Sequence, residues 1–402
     1  MTYEDFTAHL EDREYFGQKL GLDRIRTLLQ RLGNPHEQFA SIHIAGTNGK
    51  GSTANMIAAV LRESSLSVGL YTSPHLQDFC ERIRVGDRMI SQEMVLRLTR
   101  HIREVEDEPL TFFEIATAIA FLHFAEEKVD IAVIETGLGG RLDATNIVIP
   151  LLSIITTIGR DHMAHLGETL GEIAFEKAGI IKKNVPVVTG PLAPEAMAVI
   201  REIASVKNSP LVTFRPDLLP PDFLVPLRGH HQQQNAAVAI TGIELLREMR
   251  YPISPEAIRQ GLEGIEWPGR LETVSENPWI LLDGAHNLDA MRAVRIFLEE
   301  NQGRRNLKIL FGAMADKEIR AILGELQPLP AQWFFTAPRL KRAATPQELA
   351  RIAGALEIEG TLVSGVDRAL DQIVPSLQKD DLLLVTGSLF VVGEAKKWFS
   401  AR

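Results

Sequence analysis

Cysteine is almost missing from this chain. The single residue Cys80 excludes an intrachain disulfide, and eleven histidines without paired cysteines carry no structural zinc signature. Long apolar runs are missing too, so no stretch reads as a membrane span, and the opening MTYEDFTAHLEDREYF is acidic with no apolar signal core. Residence in the cytoplasm without a membrane partner is the expectation. Positive charge is not in excess either. A formal net charge of −9 argues against a nucleic-acid-binding surface, while a local basic pocket for anionic ligands remains compatible with it. The chain shows no repeats, low-complexity segments or charge blocks.

What is present is ordinary globular material, 45% hydrophobic and 24% charged over 402 residues, enough for two cores. Apolar runs at 42–45, 68–71, 129–135, 152–158 and 185–189 read as buried parallel strands. Helical periodicity covers 3–15, 22–32, 52 onward, 91–106, 111–126, 170–178, 191–205 and 236–249. Trp267-Pro268-Gly269-Arg270 punctuates the chain, and a fresh alternation follows it. There, strands at 279–283, 307–311, 332–336 and 381–386 are separated by helices at 288–300, 316–326, 346–356 and 366–377. The expected fold class is α/β, with a P-loop-type doubly wound ATPase domain over 1–268 and a smaller Rossmann-like α/β domain over 269–402.

The stretch SIHIAGTNGKGS at 41–52 runs from a strand through a glycine loop into a helix, which is the layout of a phosphate cradle. Its glycines admit converging backbone N–H groups, and Lys50 adds a point charge. The spacing departs from GxxxxGK[ST], and a glycine-rich turn that merely joins strand to helix is the competing reading. Thr72-Ser73-Pro74-His75 delivers polar groups at a strand's carboxyl end, as a ligand edge or as a Ser-Pro turn cap. Glu135 closes the strand at 129–135 before the loop TGLGGRLD; it fits a magnesium-holding acid or a partner for Arg141. His162 and Lys177 read on spacing alone as a loop histidine and an ion-pair partner of a nearby glutamate. The adjacent His230 and His231 make a poor metal pair, because neighbours cannot face one side of a helix or strand.

Taken together, GTNGKGS (46–52), TSPHL (72–76), ERI (81–83), TFFE (111–114), IETGLGGRLDATN (134–146), DH (161–162), EKAGI (176–180), HQxxNA (231–236), PGR (268–270) and DGAHN (283–287) resemble folylpolyglutamate synthase and its bifunctional relative with dihydrofolate synthase activity, of the Mur ligase superfamily. The resemblance implies ATP-dependent activation of a carboxylate as an acyl phosphate, which the amine of L-glutamate displaces. It implies ATP and two magnesium ions as cofactors. Thr47, Asn48, Gly49 and Lys50 would wrap the phosphates, with Asn235 at the adenine, Arg270 at a phosphate and Asp283 at the ribose. Ser73 and Glu135 would hold one metal, and Glu135, His162 and Lys177 the other. An ammonium cannot ligate a metal, so Lys177 enters as the carbamate that the family carries. Gly17, Gln18, Lys19, Thr111, Phe112, Leu142, Asp143 and Ala144 match positions for the pteridine and its benzoate, and His286 and Ser388 match the glutamate site. Lys50, Glu135, His162 and Lys177 are the catalytic set.

The expected partners are therefore small molecules, with no nucleic acid and with the chain acting as a monomer. Dihydropteroate, reduced folates or both fit as acceptors; TFFE and the GGRLDAT loop favour the bifunctional form. A muramyl-peptide ligase would need a UDP-binding domain before the phosphate loop, where only about 45 residues stand. A nucleotide-binding relative without chemistry is the other alternative, against which Lys50, Glu135, His162 and Lys177 are all retained.

Overall fold

Short apolar runs cannot make helices and form the central strands, buried on both faces, while more exposed strands complete the edges. In the computed structural model, which describes residues 2–7, 21–219, 223 and 225–402, they build two sheets. The first contains β1 (Ala40–Ala45), β2 (Val68–Tyr71), β3 (Ile83–Val85), β4 (Arg88–Met89), β5 (Ile131–Glu135), β6 (Leu152–Ile155), β7 (Val187–Thr189) and β8 (Leu211–Thr213). Its order is β4-β3-β2-β5-β1-β6-β7-β8. From β2 to β8 the ladders are parallel, with crossover helices such as Lys50–Glu63, Phe112–Glu126 and Pro194–Val206. The central strands β1 and β5 bury Ile42, Ile44, Val133 and Ile134 completely, and Ile44 stands opposite Glu135 in the register.

The second sheet contains β9 (Glu272–Glu276), β10 (Trp279–Leu282), β11 (Asn306–Phe311), β12 (Ala331–Phe335), β13 (Gly360–Leu362) and β14 (Asp381–Thr386), in the order β13-β12-β11-β14-β10-β9. Leu281, Ile309, Phe311, Phe335 and Leu384 form part of its core. By their contacts, residues Met1–Gly159, Met163–Pro226 and Gln233–Ile265 make one unit; Arg160–His162, Leu227–Gln232 and Glu266–Arg402 make the other. The expected α/β class and its two sheets are present. No described helix is long and apolar enough to cross a membrane.

Several local expectations change. The first sheet gains an antiparallel edge, β3 and β4, and the second gains antiparallel β9; these short segments have polar residues that no apolar pattern marks. Strand β6 ends at Ile155, not at 158; Thr156 N–H still donates to Ala45 O, while the hydroxyls of Thr156 and Thr157 turn to Asn48 O. The phosphate-loop helix starts at Lys50, and the helix expected from 236 starts at His230. Helices Pro255–Glu263 and Leu389–Ser400 are additional, the first announced by Ser254, which accepts from Ala257 N–H, and by Pro255. The helix expected over 3–15 lies mostly outside the described residues, of which 3–7 are helical.

Helix Pro255–Glu263 crosses Lys50–Glu63 closely enough that a Cβ on Gly261 would stand 2.7 Å from Val60 Cα. Replacing Gly261 with Ala must push apart the helix that carries the phosphate loop. We expect urea unfolding of the full chain to lose about 1–3 kcal/mol; an unchanged midpoint would mean the helices do not meet at this glycine.

Candidate active site

A loop that cradles phosphate needs N–H groups and no side chains in the way. Gly49 meets this need as the residue before helix Lys50–Glu63: its φ is 84°, no side chain caps the first turn, and a Cβ there would stand 2.2 Å from Asn235 Oδ1. Asn235, buried on helix His230–Glu248, thus packs directly on the loop. The loop is tied to the carboxyl end of β6. Thr47 N–H donates to Thr157 O (2.7 Å), Asn48 N–H to Thr157 Oγ1 (3.0 Å), and Thr156 Oγ1 donates to Asn48 O (2.7 Å). Thr47 Oγ1 donates to Gly159 O and accepts from Gly159 N–H. Thr156 and Thr157 are functional residues that sequence reasoning missed; two threonines directly after an apolar strand were the available signal.

Charged groups meet at this loop. Lys50 Nζ folds back to Thr47 O at 3.2 Å and lies 3.9 Å from Glu135 Oε1. Glu135 is buried at the end of β5, and its Oε2 accepts from Ser73 N–H at 3.0 Å. Lys177, buried on helix Leu170–Ala178, donates from Nζ to Gly46 O at 2.8 Å. The competing reading of Glu135 as a partner of Arg141 does not hold, since Arg141 pairs with Glu176 at 2.8 Å. Thr47, Asn48, Gly49, Lys50, Ser73, Glu135, Lys177 and Asn235 are therefore brought together within the first unit.

The positions expected for the pteridine and benzoate have definite structural duties. Thr111 caps helix Phe112–Glu126 in a reciprocal box with Glu114, whose carboxylate also receives Arg24 at 3.1 Å. Phe112 lies under the buried Arg82 guanidinium, 4.9 Å from its ring centre. Arg82 Nε donates to His75 Nδ1 at 2.8 Å, and burial, with Arg82 second, pushes the His75 pKa down to about 3. His75 and Arg82 were in the motifs but had been given no role. Asp143 is buried with its carboxylate turned inward: Oδ2 accepts from Gly137 and Leu138 N–H (both 2.8 Å), Oδ1 from Thr145 N–H (3.0 Å). Burial raises its pKa against those donors. Leu142 and Ala144 flank it; Gly17, Gln18 and Lys19 lie outside the described residues.

Within the second unit, Asp283 follows β10 and accepts from Leu271 and Ala285 N–H, both at 2.8 Å, fixing the turn beside Arg270. Burial raises the Asp283 pKa, while the Arg270 charge opposes this. His286 Nδ1 is 2.8 Å from Gly284 O and so donates to it, and burial pushes the ring's pKa down to about 4. Ser388 caps helix Leu389–Ser400 by accepting from Phe390 N–H. His162, at φ 51°, sits beside Asp161, which binds Lys317 Nζ at 2.6 Å and Asn287 Nδ2 at 3.1 Å. Burial would raise the Asp161 pKa, but His162, Lys317 and His286 hold it well below the usual carboxylate range.

For a divalent metal, the donor chemistry fits at Glu135 and Ser73, an anionic oxygen and a hydroxyl at neighbouring strand ends. Among the described residues, no group of three or more His, Cys, Asp and Glu is placed to hold a metal ion by itself. Such a sparse donor set suits magnesium, which takes few protein ligands and completes its shell from phosphate and water.

Known proteins supply the remaining comparison. Residues 44–217 match the Mur ligase middle domain and residues 269–389 the Mur ligase glutamate ligase domain. The chain is 38% identical over 426 aligned positions to the dihydrofolate synthase/folylpolyglutamate synthase of Bacillus subtilis, covering 98% of each. The solved structure of E. coli FolC in complex with DHPP and ADP superposes with a TM-score of 0.92 at 29% identity, covering 100% of this chain and 98% of that one. A bifunctional folylpolyglutamate synthase/dihydrofolate synthase from Yersinia pestis, complexed with AMPPNP and a Mn ion, gives 0.88 at 29% identity, with 99% and 98% covered. With both halves matched in order and nearly full coverage, the chain belongs to the dihydrofolate synthase/folylpolyglutamate synthase family of ATP-dependent ligases.

Proposed function

We propose that this protein joins the amine of L-glutamate to the carboxylate of dihydropteroate, of a reduced folate, or of both, with conversion of ATP to ADP and phosphate. The observation that carries this reading is the meeting of Lys50, Glu135, Ser73 and Lys177 at one glycine loop. A carboxylate and an ammonium do not condense unaided in water, so the acceptor oxygen must first become a leaving group. In the first step that oxygen attacks the γ-phosphorus and the bond to ADP breaks. In the second, the glutamate amine, having lost a proton, attacks the acyl carbon and phosphate departs.

The chain's own groups are suited to positioning. Lys50 and the uncapped first turn of helix Lys50–Glu63 hold the phosphate oxygens, and Asn235 keeps the loop at Gly49 in place. Leu142, Asp143, Ala144, Thr111 and Phe112 seat the acceptor, and a stacked flat ring at Phe112 suits a pteridine. Arg270 and Asp283 serve the nucleotide, His286 and Ser388 the incoming glutamate. Two magnesium ions, one at Ser73 and Glu135 and one at Glu135, His162 and carbamylated Lys177, would neutralise charge on the transferring phosphoryl group. A carbamate on Lys177 would retain one N–H able to donate to Gly46 O and would add two oxygens sharing one negative charge. The division of labour follows a domain boundary at 268/269.

Phosphate release measured with ATP, magnesium and glutamate, separately with dihydropteroate and with tetrahydrofolate, is expected to be glutamate-dependent with both. Turnover with tetrahydrofolate alone would remove the dihydropteroate half of the assignment, and none with either would overturn it. Replacing Lys50 with Ala is expected to lower turnover by about a hundred- to a thousandfold, and near-normal rates would refute its place at the phosphates. Intact mass under carbon dioxide should show one added carbamate, lost in Lys177→Ala. An unmodified lysine in an active, nucleotide-bound sample would exclude the modification.

A further inference from the structure

His43 has no part in the chemistry above, yet it is a fully buried ring on β1, the strand that ends in the phosphate loop. It stands opposite Ile134 of β5 and Ser153 of β6, at the centre of the sheet. Burial, with Lys182 second, pushes its pKa down to about 3, so the ring is neutral. An aliphatic side chain would occupy such a position without a desolvation cost. The imidazole differs from one in what it bonds.

His43 Nε2 lies 2.8 Å from Thr145 Oγ1, and Thr145 Oγ1 donates its proton to Asp143 Oδ1. A hydroxyl has only one proton, so Nε2 carries the hydrogen of this contact. Nδ1 is then an unprotonated nitrogen, buried with no hydrogen-bond partner. Asp143 in turn gathers the N–H groups of Gly137, Leu138 and Thr145. An unbroken chain of bonds thus runs from the floor of the sheet to the start of the loop at 137–146. The loop has a second anchor, because Arg141 N–H donates to Glu176 O and Asn146 Nδ2 donates to Gly179 O. Loss of the first anchor should loosen the loop without releasing it.

We propose that His43 is a positioning residue for the acceptor, acting through Thr145 and Asp143 on the loop that seats it. This rests on the reading of Leu142, Asp143 and Ala144 as acceptor positions. It follows that His43 governs the acceptor and leaves ATP alone, although it lies on the strand leading into the phosphate loop. His43→Leu removes the donor and keeps an apolar filler; His43→Gln returns an N–H at similar reach. Thr145→Val cuts the same chain from the loop side and carries the test should His43→Leu fail to fold.

Steady-state kinetics on the three variants should show the acceptor KM raised about tenfold in His43→Leu and Thr145→Val, with the ATP KM unchanged and His43→Gln close to the parent. A parental acceptor KM in His43→Leu, or a joint rise for ATP and acceptor, would overturn the proposal, as would equal losses in His43→Gln and His43→Leu. Hydrogen exchange separates this outcome from the proposed function itself: the amides of Gly137, Leu138 and Thr145 should exchange faster in His43→Leu and Thr145→Val but not in His43→Gln. Unaltered exchange defeats the tether whatever the activity. Altered exchange in a protein that ligates no pteroate or folate acceptor supports the tether and removes the acceptor assignment instead.

Discussion

A glycine loop can receive phosphate only if something other than its own side chains holds it still. Ordering residues 46–49 costs about 1–2 kcal/mol each, and more at glycine. Against this stand the bonds from Thr47 and Asn48 to Thr156, Thr157 and Gly159, and from Lys177 to Gly46 O, each of which contributes about 0.5–1.5 kcal/mol net. The two sums are of similar size, so the threonines that follow β6 contribute much of what holds the loop in place. Nearly everything else in the first unit depends on that arrangement. Glu135 and Ser73 are placed by neighbouring strands ending at the same level, and Lys50 can reach Glu135 because the helix begins as soon as the loop ends.

Carboxylates at the carboxyl edges of the two sheets divide into two kinds. Asp143 and Asp283 are buried, and both oxygens of each accept from backbone N–H groups, of Gly137, Leu138 and Thr145 for Asp143 and of Leu271 and Ala285 for Asp283. They are turn-setting groups whose influence on a ligand runs through backbone shape. Glu135 accepts from Ser73 N–H at Oε2 and faces Lys50 Nζ at 3.9 Å from Oε1, so a cationic side chain stands beside its carboxylate. Glu135 closes β5 and Asp283 directly follows β10, whereas Asp143 ends the loop after β5. One oxygen of each aspartate reaches the N–H two residues on, at Thr145 and Ala285.

The alternation of apolar runs was enough to read the α/β class, the parallel strands and the second sheet, because a buried strand has no other way to appear in sequence. The glycine loop with Lys50 and the acid at 135 were legible for the same reason: both sit where a strand stops. What was not legible depends on pairs distant in the chain. Lys317 meets Asp161 across 156 positions, and Arg141 turns to Glu176 instead of the nearer Glu135. Thr156 and Thr157 were read as strand, since threonine suits a strand and only the partner at 46–49 decides otherwise. His43 was read as one more strand residue in an apolar run, and nothing local shows that its ring must find Thr145.

Helix Leu170–Ala178 ties two loops to one short element. Its amino end is fixed by the reciprocal cap of Thr169 and Glu172. At its carboxyl end, Lys177 Nζ bonds Gly46 of the phosphate loop, while the carbonyl of Glu176 accepts from Arg141 N–H of the loop at 137–146. Phosphoryl transfer to a carboxylate requires the reacting oxygen within about 3–3.5 Å of phosphorus, and a displacement of about 1 Å costs two orders of magnitude in rate. Two loops hung independently from a sheet have no shared support. Hung from adjacent residues of one helical turn, they move together, and a change at Lys177 that alters its bond to Gly46 reaches both. The bond from Lys177 to Gly46 O thereby joins the phosphate loop to the same helical turn that holds the loop at 137–146.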